Sequence, residues 1–202
     1  MVWKPVLMSD DETMKSFLQQ SLRRGRTNLR WKLSGLDERS LRWPRTPTGF
    51  NLLGALKHMA QVEIVYFGDT FGRAWPNREE VVTDADIDLD PQADWCATES
   101  ETTAYLLDFY TRVADFADET IDSLSLHSPG RVPHWPTGRD ETTLGQIMVH
   151  VLVDLTQHLG QVDIVREGID GFAGLSEGAP NLPEDFDHDA YLKRLRTIAD
   201  RF

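Results

Sequence analysis

The sequence predicts an all-α fold: a four-helix bundle with long crossover connections and a short C-terminal helix. Two observations carry this expectation. Four long stretches repeat apolar residues at helical spacing, and no stretch shows the strict alternation of a half-buried strand. The segments between them are rich in proline and glycine, which break the chain where a bundle needs its connections.

The first helix is expected to start at Ser9 or Asp10, because Asp11 and Glu12 suit the positive end of a helix. Met14, Phe17, Leu18, Leu22, Leu29 and Leu33 form its apolar stripe, and Ser34-Gly35 ends it. Pro44 and Pro47 punctuate the next connection. A second helix is expected from Asn51 to Phe71, with Leu52, Leu56, Met59, Tyr66 and Phe67 on one face. The acidic, proline-bearing stretch from Gly72 to Asp94 is long for a structureless loop. It is therefore expected to form a flap or to drape over the bundle. The third helix, Ser100 to Leu124, uses Leu106, Leu107, Tyr110, Val113, Phe116, Ala117 and Ile121. After a crossing marked by Pro129, Pro133 and Pro136, the fourth helix starts at Thr142 or Thr143. Thr143 and Gln146 have the spacing of a capping box. The run continues to Glu167, with Gly168 as its expected terminator. A Gly/Pro-rich linker, 171–183, leads to a short helix near Asp189 to Arg201. The expected organisation is a bundle domain over 1–170, with 171–202 a linker and helix packed on the same domain.

Bulk properties narrow the function. A length of 202 residues fits one domain with its own core. The net charge of −12 argues against nucleic acid, whose phosphates need a cationic surface, and against anionic lipid. One cysteine, Cys96, excludes an internal disulfide and fits a reducing compartment. No apolar run is long enough to span a membrane, and the N-terminus does not read as a signal peptide, so a cytoplasmic location is expected.

The fourth helix carries the most informative pattern, His150-Val-Leu-Val-Asp154-Leu-Thr-Gln-His158. At about 100° per residue, with Leu144 at zero, His158 falls near −40°, Asp154 near −80° and His150 near −120°. They form a slanted polar line leaving the buried face. A carboxylate between Val153 and Leu155 needs water, a partner or a cation. On the second helix His58 lies at the edge of the apolar face, and Glu63 projects onto its centre. Nitrogen and oxygen donors meeting there would make a divalent metal site with open positions. The same residues read alternatively as surface ion pairs or a hydrogen-bonded polar network.

Two segments carry a resemblance. They are Leu52-Leu-Gly54-x-x-Lys57-His58-x-Ala60-x-Val62-Glu63 and Asp154-x3-His158-x-Gly160-Gln161, followed by Asp163-Ile-Val-Arg166-Glu167. Together they resemble the DinB-like (YfiT-like) metal-binding bundles, nearest to the actinobacterial branch related to mycothiol-dependent enzymes, over residues 15–170. The resemblance implies that His58, Asp154 and His158 bind a divalent metal. It also implies a small thiol cosubstrate such as mycothiol, used in S-transfer to a small electrophile or in isomerisation. Where the common pattern has histidine, this chain has Asp154. The resulting two-histidine, one-carboxylate set suits zinc, nickel, iron or manganese.

Around that set, His150 reads either as orienting Asp154 from one turn away or as a partly exposed helix histidine, and Gln161 as a hydrogen-bond partner of the site or of a polar loop. Glu63 is the expected acid–base group, taking a proton from a ligand, a bound thiol or water; its alternative is pairing with a cationic side chain. Gly160 is expected to permit close packing, and Arg166 with Asp170 to pair at the helix end. His127, His134 and His188 are expected in solvated loops. Trp31, Trp43, Trp75, Trp95 and Trp135 are expected as packing or pocket walls. A non-catalytic, stress-linked metal or ligand binding module and a metal-dependent hydrolase are the other readings of the same ligands. A homodimer through an apolar helix face is also expected.

Overall fold

The computed structural model describes residues 10–183 and 185–202. Ser9, the other candidate cap of the first helix, and the rest of the N-terminal stretch lie outside the described residues. Seven α-helices are described: α1 (Asp10–Leu33), α2 (Glu38–Arg42), α3 (Leu52–Phe67), α4 (Asp84–Leu89), α5 (Thr103–Ser123), α6 (Leu144–Asp170) and α7 (His188–Ala199). Short 3-10 turns lie at Asp69–Phe71 and Arg78–Glu80, and β1 (Pro129–Arg131) pairs antiparallel with β2 (Glu141–Thr143). No described helix is long and apolar enough to cross a membrane.

The bundle consists of α1, α3, α5 and α6. Helix α1 packs chiefly on α6, and α3 packs on α5 and on α6, so chain neighbours are not simply space neighbours. This is the crossover connectivity expected from the long connections. The expected apolar faces are buried: Leu22, Leu29 and Leu33 of α1; Leu52, Leu56, Met59 and Phe67 of α3; Leu106, Tyr110, Val113 and Ile121 of α5. Helix α6 adds Ile147, Met148, Val151, Leu155 and Val162. Met14 and Phe17 depart from expectation at 52% and 63% exposure.

The helix ends follow local chemistry. Asn51 caps α3, its Oδ1 accepting the Gly54 N–H at 2.7 Å. Thr143 and Gln146 form the expected capping box at the start of α6. The far end of α6 differs from expectation. The helix passes through Gly168 and stops at Gly171, whose φ of 76° is the left-handed cap. Arg166 holds that extra turn by pairing with Asp170 at 2.8 Å and donating to the carbonyls of Lys32 and Ser34.

The connections hold more structure than expected. Helix α2, capped by Asp37, sits in the first, and α4, with a Thr83–Asp86 capping box, sits in the acidic one. The crossing before α6 is a hairpin, with Pro129 opposite Thr143 and Arg131 opposite Glu141. The C-terminal helix, expected to pack on the same domain, has no buried residue: Leu192, Leu195 and Ile198 are 42%, 43% and 48% exposed. The start of its linker is tied down where Phe172 meets Trp31 and the Arg166 guanidinium.

Candidate metal centre

The centre lies on the seam between α3 and α6. Among the described residues, His58, Asp154 and His158 are the group whose nitrogen and oxygen donors converge, each within 4.8 Å of the others. His158 Nε2 is 3.3 Å from Asp154 Oδ1, and His58 Nε2 is 4.0 Å from Asp154 Oδ2. Two donors about 2.1 Å from one tetrahedral ion lie roughly 3.4 Å apart. The spacing therefore fits a shared cation after small adjustments. All three side chains are partly enclosed, with 16%, 27% and 15% exposure in chain order.

The other ring nitrogens settle which face each imidazole presents. His58 Nδ1 is 2.6 Å from Asp94 Oδ2, and His158 Nδ1 is 2.7 Å from Gln161 Oε1. Carboxylate and amide oxygens accept, so each Nδ1 donates its proton to the rear and each Nε2 is left facing Asp154, where His158 Nε2–H donates to the carboxylate unless a cation takes that proton's place. This arrangement, a ligand histidine held from behind by an acceptor, is how proteins orient metal ligands. Gln161 is thus brought to the site. Asp94, which donates nothing to helical periodicity, was not foreseen.

Asp94 reaches His58 because the end of the draped connection is pinned to α3. Lys57 Nζ lies 3.0 Å from both the Cys96 carbonyl and Glu101 Oε2. Arg42 donates to the carbonyls of Ala97, Thr98 and Glu101. Gly54 supplies the space, since a Cβ there would sit 2.1 Å from the Trp95 carbonyl oxygen. Trp95 then stacks on His58, with ring centroids 4.1 Å apart and 18° between planes, and meets His158 edge-on at 4.9 Å.

Charge is arranged consistently. The His158 hydrogen bond holds the Asp154 carboxyl below the usual range; burial opposes this, and the charges of His158, His58 and His150 assist. For His158, burial pulls the pKa down, but hydrogen bonds to Asp154 and Gln161 and the Asp154 charge outweigh it, leaving the imidazole raised.

A cleft of about 200 Å³ opens beside the donors, lined by Thr48, Gly49, Phe50, Gln92, Trp95, His158 and Gln161. Through Thr48, Phe50 and Gln161 it adjoins a second cleft of about 460 Å³ that reaches Gln157, Gly160, Ile164 and Val165. Gly160 does not mediate close packing as expected: a Cβ there would meet nothing within 4 Å, and the residue lines this cleft. A larger cavity, about 750 Å³, lies beside the hairpin between Thr70 and Gln146 and contains none of the three convergent donors.

Two sequence expectations are corrected here. Glu63 is not brought to the cluster. It is fully buried on another side of α3, where Arg26 Nε and Nη2 approach its two oxygens at 3.0 and 2.8 Å and the Tyr110 hydroxyl donates at 3.1 Å. With both oxygens committed and no exposure, it has no route for exchanging a proton with a thiol, and its role is to balance Arg26. Burial disfavours the Arg26 charge, but Glu63, with Tyr110 and Asp118 assisting, more than offsets that. His150 does not hydrogen-bond Asp154; its ring packs against Tyr66 at 4.6 Å and Trp135 at 5.3 Å. His134 is an exposed loop residue as expected, and its Nε2 lies 3.3 Å from the Tyr66 hydroxyl.

Comparison with known families decides the kinship. A model of the mycothiol-S-transferase family matches residues 17–171. The chain belongs to this family. The match spans α1 to the end of α6 and contains all three convergent donors. It agrees with the DinB-like, mycothiol-related branch expected from the two motifs. No curated protein matches the chain. Membership in the mycothiol-S-transferases supports a thiol-related transferase, and the α3–α6 seam is its possible metal site.

Proposed function

We propose that the chain is a metal-dependent thiol S-transferase in which His58, Asp154 and His158 hold a divalent ion. The observation that carries this reading is the pairing of both Nδ1 atoms with rear acceptors, Asp94 and Gln161, which leaves both Nε2 atoms converging on one carboxylate as candidate ligand atoms. A surface ion pair would need no such support. The donor set fits zinc, nickel, iron or manganese, and such an ion supplies Lewis acidity that lowers the pKa of a thiol into the neutral range. The chain's own residues do the rest. Asp154 stays ionised, Asp94 and Gln161 keep the imidazoles in the binding tautomer, and Trp95 and Phe50 wall the cleft where a small thiol enters. The thiol releases its proton to water and its sulfur bonds to the electrophilic carbon, whose displaced electron pair leaves with a departing group or, in an addition, stays on the product and takes up a proton from water.

Metal analysis of untagged protein tests the site directly. Wild-type protein is expected to carry about one ion per chain, and His158→Ala to lose it while its far-UV circular dichroism is unchanged. In the cobalt-substituted protein, mycothiol is expected to shift the visible absorption. Retention of metal by His158→Ala, or a cobalt spectrum indifferent to the thiol, would overturn the proposal.

A further inference from the structure

One turn of α6 before Asp154, and two turns of α3 beyond His58, lies a second group of polar and aromatic side chains. The Tyr66 hydroxyl is 3.3 Å from both Trp135 Nε1 and His134 Nε2. His150 packs against both aromatic rings, tilted on Tyr66 and edge-on to Trp135. The loop that delivers His134 and Trp135 is stiffened by Pro133 and Pro136 and braced at its base. The Val132 N–H donates to the Asp140 carbonyl, the Gly138 N–H to Asp140 Oδ1, and Arg131 pairs with Asp140 at 2.9 Å. Tyr66 is buried at 8% exposure, whereas His134 and His150, which pack against it, are exposed.

From this geometry we infer that Tyr66 is a further catalytic residue, donating its proton to the carbonyl oxygen of a planar conjugated electrophile held against Trp135 and His150. The inference deepens the S-transferase reading and rests on it. The indole N–H can only donate, so Tyr66 Oη accepts from Trp135. With His134 as the Nε2–H tautomer, the oxygen accepts twice and its own proton is free for a third partner. Partial burial lowers the His134 pKa, with Asp84 opposing and His150 adding to the shift. Burial keeps the phenol protonated at neutral pH and the Asp154 charge adds to this, against the Trp135 hydrogen bond. The flat aromatic surfaces suit an α,β-unsaturated carbonyl. Thiolate sulfur bonds to the β-carbon, the C=C electron pair moves toward the oxygen, and that oxygen takes the Tyr66 proton to give an enol. The phenolate, stabilised by the Trp135 and His134 N–H groups, is reprotonated by water, and the enol returns to the ketone. Two substrates thus approach the seam from opposite sides: thiol past Trp95, electrophile past Trp135.

The test uses trans-4-phenyl-3-buten-2-one, whose absorption moves to longer wavelength when its carbonyl accepts a hydrogen bond. Without thiol, wild-type protein is expected to bind the enone with a red shift, and Tyr66→Phe to lose the shift while keeping wild-type metal content. With mycothiol present, Tyr66→Phe is expected to lower kcat by about 100-fold or more, the range for a general acid, with little change in KM. Trp135→Phe, which keeps the flat wall but removes one donor, is expected to fall between them. An unshifted wild-type spectrum, or a Tyr66→Phe protein equal to wild type in shift and turnover, would overturn the assignment. A Tyr66-dependent shift in a protein that performs no thiol addition would sink the S-transferase reading and leave Tyr66 as a carbonyl-binding group.

Discussion

Removing the Asp94 carboxylate should weaken metal binding without removing any ligand. Asp94 Oδ2 accepts from His58 Nδ1 at 2.6 Å, a charge-assisted bond that fixes both tautomer and ring angle. Loss of such a rear partner typically costs 10–100-fold in affinity, or about 1.4–2.7 kcal/mol. The 2.6 Å distance and the 20% exposure of the Asp94 side chain argue for the upper half of that range in Asp94→Ala. Gln161→Ala removes a neutral acceptor at 2.7 Å from an exposed position and should lie at the lower end, near tenfold. The measurement is a competition titration of apo protein against a chromophoric zinc chelator near pH 7.5, with helicity checked in parallel. Equal affinities for Asp94→Ala and wild type would refute the argument. So would a larger loss for Gln161→Ala, because the ranking follows from charge.

Two further outcomes follow from the same geometry. Glu63→Ala strands Arg26, which is 2% exposed and keeps only Asp118 at 2.8 Å. The expected loss of about 3–5 kcal/mol lowers Tm by roughly 6–20 °C, while metal stoichiometry is unchanged; calorimetry on metal-loaded protein checks this, and intact stability with lost activity would restore a catalytic role to Glu63. Metal affinity should rise by about tenfold per pH unit below the raised pKa of His158, because the ion must displace that proton, and should level off only above it. In the apo protein the His158–Asp154 contact is fully present below the unfolded histidine pKa and is lost as pH rises through the raised folded value, whereas the lowered Asp154 contributes above its unfolded pKa and is lost only in acid. Zinc titrations across pH 5.5–8.5 test the sign, and a flat profile below pH 6.5 would contradict it.

The four bundle helices and the three convergent donors are legible in the sequence because both rest on helical periodicity. Leu144, Met148, Val151 and Leu155 fix the buried face of α6, and that face fixes where Asp154 and His158 point. Glu63 shows the limit of the method. Projection places it correctly in the core but says nothing of which neighbouring helix faces it, and Arg26 on α1 decides its role. Asp94, His134 and Trp135 were beyond reach for a related reason. Loop residues have no period, and their contacts depend on braces such as Lys57 to the Cys96 carbonyl and Arg131 to Asp140. Gly54 was the one available signal, a glycine in the first turn of an apolar helix that demands a close neighbour. The end of α6 was misread because Gly168 has the right identity but lacks the positive φ found at Gly171.

The seam position of the centre bears on which ion it would select. Asp154 and His158 are locked together by one helical turn, and His58 travels with its strap because Lys57, the adjacent residue, ties that strap to the same helix. The soft dimension is the 4.0 Å gap between His58 and Asp154. A slight parting of two helices accommodates a larger radius as readily as a smaller one, so size gives this scaffold little power to discriminate. Cellular supply, rather than fit, would then decide the occupant.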